Sequence, residues 1–401
     1  STLYQKLAFH YRDAPVPPPS DEFAALIAVT EKTQLAADIN LLLSGQAVEA
    51  GGGCACKHAL PDAAAARELL KQKRPDVLLR LRQRHESWRA HCVRTDQVAL
   101  GQTENAVLLG VARLGLRHGH FGPDLHAYHN EDHALELLFG RLDRVLDVIE
   151  PAQFVLRDAL ALELFAAGHD LHQREPGVDP SGIGHNELAS LAETLRIMDA
   201  SGFDRTQDAD QYLAVAMAIA GSTFDAKSNV SATVEDQGED DSADPMSSGG
   251  ALAPRLREWL AREAADREIN PLMARALSLA CVAADLDTGN VGDAFLLFCE
   301  GARRLCEERE MRAGRSLGGV ESGKSCIDFL LSGQARYVFD LHRFNSDLGE
   351  RAFAAIKEEN GKRLRALSAR FERELLRPDH IGLSGQRVLA LYATLAMQCA
   401  A

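Results

Sequence analysis

Two histidines, His129 and His133, are spaced for shared chemistry. They are four residues apart, so a helix that begins after Asn130 would project both imidazoles to one side. Asn is a favourable N-cap, and the acidic residues that follow it suit the positive end of a helix dipole. Neutral imidazole binds transition metals and can transfer protons near neutral pH. Two surface histidines at a helix start would show the same spacing, so this segment alone does not define a site.

Two later apolar segments end in residues with carboxylate side chains. His169 and Asp170 follow one of them, and Asp285 and Asp287 end the other. Neighbouring helical residues point about 100° apart, so His169 and Asp170 can face one metal only near a helix end. Each acid alone is equally typical of a solvated helix end. Together with His133, however, these residues could form a divalent-metal site with two imidazoles, in which Asp285 or Asp287 supplies the last carboxylate.

The elements that would position these residues are helices. Leu and Ala recur at helical spacing along most of the chain, whereas alternating runs rich in Val, Ile and Thr are few. The sequence therefore predicts an all-α fold, a compact multi-helix bundle. Its predicted helices include residues 62–92, 134–149, 154–167, 271–284 and 326–345.

Polar stretches divide the chain. Three consecutive glycines within residues 44–61 predict an N-terminal helical arm and linker over 1–60 and a main domain over 61–401. Residues 225–250 are rich in Ser, Asp, Glu and Gly and are predicted to be a disordered insertion. The Gly-rich residues 313–324 are predicted to form a loop.

Composition narrows the partners and the compartment. The net charge of −14 argues against broad electrostatic binding to nucleic acid or anionic membranes, because phosphate requires a basic surface. No apolar stretch reaches the roughly 18–20 residues that span a bilayer. Eight cysteines among 401 residues are far fewer than in disulfide-stapled secreted domains. We therefore expect a cytoplasmic protein with reduced thiols and a small-molecule substrate.

The order of His133, then His169-Asp170, then a later Asp resembles the HD superfamily of metal-dependent phosphohydrolases. Within it, Tyr128, His129 and the residues up to His133 are similar to the Tyr-His-Asn-x-x-His segment of class I cyclic nucleotide phosphodiesterases. The fold expected from this resemblance is an all-helical catalytic domain over residues 61–401.

The resemblance implies a role for each of these residues. His129 would be the general acid that protonates the leaving oxygen. The first metal ion, Zn²⁺, Mn²⁺ or Fe²⁺, would be bound by His133, His169, Asp170 and Asp285. Asp285 is favoured over Asp287 because the family's ligand is followed directly by Leu. Asp170 would also bridge to a second ion, Mg²⁺ or Mn²⁺.

Two further segments resemble parts of the superfamily. Gln334 and Tyr337 are similar to the phosphodiesterases' purine-binding Gln and aromatic clamp, and Tyr128 is grouped with them as substrate-binding. Glu187 lies in a segment similar to the Asn-Glu-x-x-Ser of simpler bacterial HD hydrolases, where it would orient the nucleophilic water. One departure is Gln173, which stands where the family has a His, and this weakens the expectation of a second ion.

Three functions follow from the sequence. The first is hydrolysis of a 3′,5′-cyclic nucleotide such as cAMP or cGMP to the 5′-monophosphate. The second keeps the metal site but acts on a nucleoside monophosphate or another phosphomonoester. The third is a non-catalytic, nucleotide-binding regulator with a degenerate site. A homodimer is compatible with each of them, and the N-terminal arm is its candidate interface.

Two weaker motifs carry less weight. Cys54, Cys56 and His58 lie in a Gly-rich segment but lack the fourfold spacing of a structural zinc site. Residues 318–325 are superficially similar to a phosphate-binding loop, yet they lack its first glycine and a preceding strand. A nucleoside-triphosphate site is therefore not expected.

Overall fold

The computed structural model describes residues 60–90, 92–150, 155–173, 185–223, 251–254, 256 and 271–400. Within these ranges all regular elements are helices, which confirms the all-α prediction. The predicted arm, the predicted insertion and the Cys54, Cys56 and His58 motif lie outside the described residues. Among the described helices, none is long and apolar enough to cross a membrane.

The described helices are numbered in chain order. The α-helices are α1 (Ala63–Lys73), α2 (Pro75–Arg89), α3 (Arg94–Arg117), α4 (Glu131–Glu136), α5 (Leu142–Asp147), α6 (Leu156–Gly168), α7 (His185–Ala200), α8 (Ala209–Gly221), α9 (Pro271–Asp287), α10 (Phe295–Arg312), α11 (Val320–Asp328), α12 (Gln334–Arg336), α13 (Asp347–Leu375) and α14 (Gly385–Ala400). Short π-helical turns lie at Leu137–Arg141, Phe329–Gly333 and Tyr337–Leu341, and 3₁₀ turns at Thr288–Gly292 and Pro378–His380.

The described residues form two compact units. The first contains α1 to α9, and the second contains residues 126–128 together with α10 to α14. Both lie within the predicted domain of residues 61–401. Each unit has its own buried core.

Helix α6 forms the centre of the first unit. It packs against α3, α4, α8 and α9, and ten consecutive residues from Ala159 to Gly168 are buried. A helix that is buried on every side needs apolar residues around its whole circumference, and the sequence supplies them with one exception, Glu163. The Glu163 carboxylate accepts hydrogen bonds from Arg84 at 2.7 Å and His85 at 2.8 Å, both on α2.

Helices α3 and α6 approach closely at Gly110. A Cβ atom at this position would lie 2.8 Å from the backbone carbonyl oxygen of Ala167. Ala167 precedes the end of α6 by one residue. The absence of a side chain at Gly110 therefore lets α3 pack closely against the segment that carries His169.

The second unit is built around aromatic residues. Helices α10, α11, α13 and α14 pack together, and the core between them contains Phe298, Phe371 and Tyr392, each almost fully buried. Asn360 on α13 donates hydrogen bonds to the carbonyl oxygens of Val291 at 2.9 Å and Asp293 at 2.8 Å. These bonds fix the segment that leads into α10.

Two predicted boundaries were wrong. The predicted helix 62–92 is broken at Arg74, because Pro75 disfavours helical backbone at the residue before it. The predicted loop 313–324 ends at Gly319, and residues from Val320 onward are helical. Gly323 is inside that helix, where its missing side chain admits the Leu383 carbonyl oxygen, which would lie 1.9 Å from a Cβ atom. Here glycine serves close packing, although the sequence pattern suggested flexibility.

The contact at Gly110 predicts opposite effects for two glycine substitutions on α3. Gly110→Ala should lower the free energy of unfolding by about 1–3 kcal/mol, because overpacking forces α3 and α6 apart. Gly101→Ala should raise it by about 0.5–1 kcal/mol, because nothing lies within 4 Å of a Cβ there and Ala favours the helix. Denaturant unfolding measures both, and equal effects would contradict the close approach.

Glu163 predicts a pH-dependent contribution to stability. Burial alone raises the pKa of Glu163, but His85 and Arg84 outweigh it and hold the pKa below its usual value. The ionised carboxylate therefore stabilises the fold above its unfolded pKa of about 4.3, and this contribution is lost as pH falls through the lower folded pKa.

Glu163→Gln should consequently cost about 3 kcal/mol or more at pH 7, because it leaves buried partners uncompensated. The difference from wild type should stay constant down to about pH 5 and shrink at lower pH. Denaturant unfolding across this range measures it. Glu68→Gln, which removes an exposed pair with Lys71, is the control and should cost at most about 0.5 kcal/mol.

Candidate metal centre

His133 is positioned by the start of α4. The side chain of Asn130 accepts hydrogen bonds from the backbone N–H groups of Asp132 at 2.9 Å and His133 at 3.4 Å, which confirms Asn130 as the N-cap. The cap fixes the first turn, and the His133 side chain is fully buried against the first unit's core. His129 precedes the helix, and its ring lies edge-on to that of His133 with centroids 5.9 Å apart.

His169 and Asp170 lie where α6 ends. His169 is the C-cap of α6, and its backbone N–H still donates to the Phe165 carbonyl oxygen. Asp170 follows this cap, and its Oδ2 lies 3.1 Å from His169 Nε2. The His169 Nδ1 atom lies 3.2 Å from the Phe165 carbonyl oxygen. Because that oxygen can only accept, Nδ1 carries the proton in the neutral ring and the Nε2 lone pair is left for a ligand.

Four ligand atoms from three helical segments meet there. His133 Nε2 lies 3.5 Å from Asp170 Oδ2 and 3.3 Å from Asp287 Oδ1. His169 Nε2 lies 3.1 Å from Asp170 Oδ2 and 3.5 Å from Asp287 Oδ1. Ligands bound about 2.1 Å from a cation lie about 3.0 Å apart in octahedral and about 3.4 Å apart in tetrahedral geometry. His133, His169 and Asp287 each place one such atom within 4.8 Å of the others, a spacing that fits one divalent ion, and Asp170 Oδ2 lies beside both imidazoles.

Buried polar atoms in this cluster also fit a cation. His169 Nε2 and Asp170 Oδ2 are both buried, and neither has a hydrogen-bond partner of acceptable geometry. Leaving such atoms unsatisfied costs about 1–3 kcal/mol each, and more for a charged group. A cation between the imidazoles and the carboxylates would satisfy them together.

The charges of the cluster point the same way. Burial alone raises the pKa of Asp170, but His169 outweighs it and lowers that pKa to about 2. The pKa of Asp287 is also lowered, because both imidazoles outweigh its burial. Burial lowers the pKa of His133, whereas Asp170 raises the pKa of His169 against the effect of burial. Both carboxylates thus favour their ionised form, and a divalent cation would neutralise them.

Arg141 holds the carboxylate end of α9 in place. Its side chain is buried and donates to the carbonyl oxygens of Leu286 at 3.0 Å and Asp287 at 2.9 Å. Arg141 ends the π-helical turn that follows α4, and the extra residue of such a turn redirects the side chains after it. His133 and Asp287 are thereby tied together through one continuous helical segment. Sequence analysis missed this residue, although a single cation within an apolar run is a visible signal.

Helix α7 supports the turn after α6. Thr194 donates a 3.2 Å hydrogen bond to the Gly168 carbonyl oxygen, and the Ser190 hydroxyl accepts one of 3.0 Å from the backbone N–H of His172. Glu187 is half-buried in the first turn of the same helix. Its role in orienting water stays a prediction.

Two side chains at the cluster are partly exposed to solvent. His133, His169 and Asp170 are buried, while the Asp287 side chain is 20% exposed and His129 is half-buried. Solvent therefore reaches Asp287 and His129 more than the other three side chains.

Asp285, the favoured sequence candidate, lies on the helix that supplies Asp287. It is fully buried, and its place among the ligands stays a prediction. The contacts to both imidazoles described above come from Asp287. Residues two apart on a helix point about 200° away from each other, so regular helix geometry favours one of the two carboxylates over the other.

The predicted substrate-binding residues all belong to the second unit. Gln334 is 2% exposed, and Tyr337 is buried in the core and meets the His342 ring edge-on at 5.5 Å. Tyr128 is also buried, and its backbone N–H donates to Glu308 at 2.7 Å. Their binding of a nucleotide stays a prediction.

Neither the models of known protein families nor characterised proteins match this sequence. The geometry of the first unit therefore carries the functional argument.

The identity of the α9 ligand can be tested with a matched pair of substitutions. Asp287→Asn should weaken Zn²⁺ or Mn²⁺ binding by more than about 100-fold, because it removes the carboxylate that contacts both imidazoles. Asp285→Asn keeps that contact and should weaken binding far less. Competition titration with a chromogenic chelator measures both affinities, and a larger loss in Asp285→Asn would favour the assignment implied by the resemblance.

Proposed function

We propose that this protein is a metal-dependent phosphohydrolase that cleaves a phosphodiester, a 3′,5′-cyclic nucleotide such as cAMP or cGMP, to the 5′-monophosphate. The observation that carries the proposal is the meeting of His133, His169 and Asp287 at cation-ligand spacing, with Asp170 against both imidazoles and the half-exposed His129 beside His133. Two imidazoles and two carboxylates suit Zn²⁺, Mn²⁺ or Fe²⁺. A divalent ion held there would neutralise phosphate oxygens and lower the pKa of water.

The residues around the ligands have separate tasks. His169 is oriented by the Phe165 carbonyl oxygen, and Asp287 is held by the Arg141 contacts to its backbone. His129 would donate a proton to the departing ribose oxygen, and its positive charge is one of the influences that lower the pKa of Asp170, after that of His169. A general acid of this kind contributes about 10²–10⁴-fold.

The substrate class rests on the resemblance. Gln334 offers a donor and an acceptor to a base edge, Tyr337 offers an aromatic face, and Tyr128 is proposed as a third substrate-binding residue. Glu187 is proposed to orient the nucleophilic water. The protein's partner would be a small nucleotide in the cytoplasm, in keeping with the acidic composition and with the described cysteines, which are free thiols.

A hydrolysis screen tests the proposal directly. The full chain, loaded with Zn²⁺, Mn²⁺ or Mg²⁺ in separate reactions, is assayed against cyclic mononucleotides, cyclic dinucleotides and nucleoside monophosphates. We expect turnover of a cyclic mononucleotide to its 5′-monophosphate. Turnover of monophosphates alone would favour the nucleotidase alternative, and a full metal complement without turnover of any nucleotide would favour the regulator.

His129→Ala separates metal binding from proton transfer. This variant should retain its metal, because His129 is not among the four ligand atoms, and should lose about 10²–10⁴-fold in kcat. His380→Ala is the control, since His380 lies in the second unit and contacts the Glu374 carbonyl oxygen. Wild-type turnover in His129→Ala with normal metal content would rule out the role of His129 as general acid.

A further inference from the structure

The two oxygens of Asp170 have different partners. Oδ2 faces His133 and His169, at 3.5 Å and 3.1 Å, on the side of the proposed ion. Oδ1 accepts a 2.6 Å hydrogen bond from the side-chain amide of Gln173. A carboxylate can only accept, so the amide nitrogen of Gln173, rather than its oxygen, must face Asp170. A cation bound to Oδ1 would therefore have to share that oxygen with the Gln173 N–H.

Gln173 is held firmly in this position. It is 9% exposed, and its backbone N–H lies 3.3 Å from His118 Nε2, to which it donates. The 2.6 Å length of the bond to Oδ1 is that of a strong hydrogen bond to a charged acceptor. Breaking it would strand an amide and a carboxylate oxygen in a buried place, which is costly.

The neighbouring imidazole is also engaged. Both ring nitrogens of His172 have partners, since Nε2 contacts Glu193 and Nδ1 contacts Arg117. A second guanidinium, that of Arg113, lies 3.6 Å from the same Glu193 carboxylate. Two fixed positive charges here oppose a second divalent cation. Next to Oδ1, the Gln173 amide and the two guanidiniums, set against one Glu193 carboxylate, therefore present more positive than negative charge to a second cation.

We infer that the centre is mononuclear, and that Gln173 is the positioning residue that makes it so. Its N–H donates to the oxygen through which Asp170 would bridge to a second ion, and the bond fixes the carboxylate with Oδ2 toward the imidazoles. The inference rests on the proposed metal site and deepens it, because hydrolysis would then proceed with one ion and the protein's own groups.

Metal stoichiometry tests the inference on the unmodified protein. The full chain is stripped with a chelator, titrated with Mn²⁺, and analysed by elemental analysis and electron paramagnetic resonance. We expect the six-line spectrum of an isolated Mn²⁺ ion at one equivalent and no exchange-coupled signal as more Mn²⁺ is added. Two equivalents with an exchange-coupled spectrum would overturn the inference and leave the proposed function standing. Absence of binding would overturn the metal site itself, and with it both proposals.

Gln173→Ala tests the positioning role separately. Loss of the hydrogen bond should weaken binding of the single ion by about 10–100-fold, as expected when a residue that holds a metal ligand is removed. It should also change the Mn²⁺ spectrum, because the Asp170 side chain can then rotate. Gln102→Ala is the matched control: the Gln102 amide donates a 2.6 Å bond to the Gly202 carbonyl oxygen, away from the ligands. Unchanged affinity and spectrum in Gln173→Ala would contradict the role of Gln173.

Discussion

The electrostatic cost of the Asp170 carboxylate governs the organisation of the first unit. This residue is 7% exposed at the end of a helix whose last ten residues are buried, so water cannot stabilise its charge. His169 and His133 lie beside one oxygen and Gln173 donates to the other. These neighbouring groups compensate the buried charge of Asp170. The same arrangement makes the cluster suited to a cation.

The scaffold that carries this charge is rigid where precision matters. Gly110 brings the backbone of α3 against Ala167, and Glu163 ties α6 to α2 through Arg84 and His85. Ligands of a metal centre need positions fixed to a fraction of an ångström, and a helix packed on all sides provides that more reliably than a loop. The same packing that stabilises the fold thus also sets the position of His169 at its end.

The π-helical turn after α4 connects the two halves of the cluster. It turns Arg141 toward the carbonyl oxygens that end α9, while His133 on the preceding turn contacts the Asp287 carboxylate. The continuous segment of α4 and this turn therefore carries His133 itself and also holds Asp287 in place through the Asp287 backbone. The geometry of the cluster therefore depends on this long-range contact between the turn and the end of α9.

The sequence alone determined the helical class, the Asn130 cap and the convergence of His169 with Asp170 at a helix end, because these follow from local periodicity and side-chain chemistry. It did not determine the break at Arg74 or the helix beginning at Val320, where a proline's effect on its neighbour and a packed glycine decided the outcome. The contact of Asp287 with both imidazoles and the bond from Gln173 to Asp170 depended on the tertiary structure. Two features determine which side chains come into contact: contacts between residues distant in sequence, such as Arg141 with the end of α9, and the path of the chain beyond a helix end. A local sequence pattern encodes neither of them.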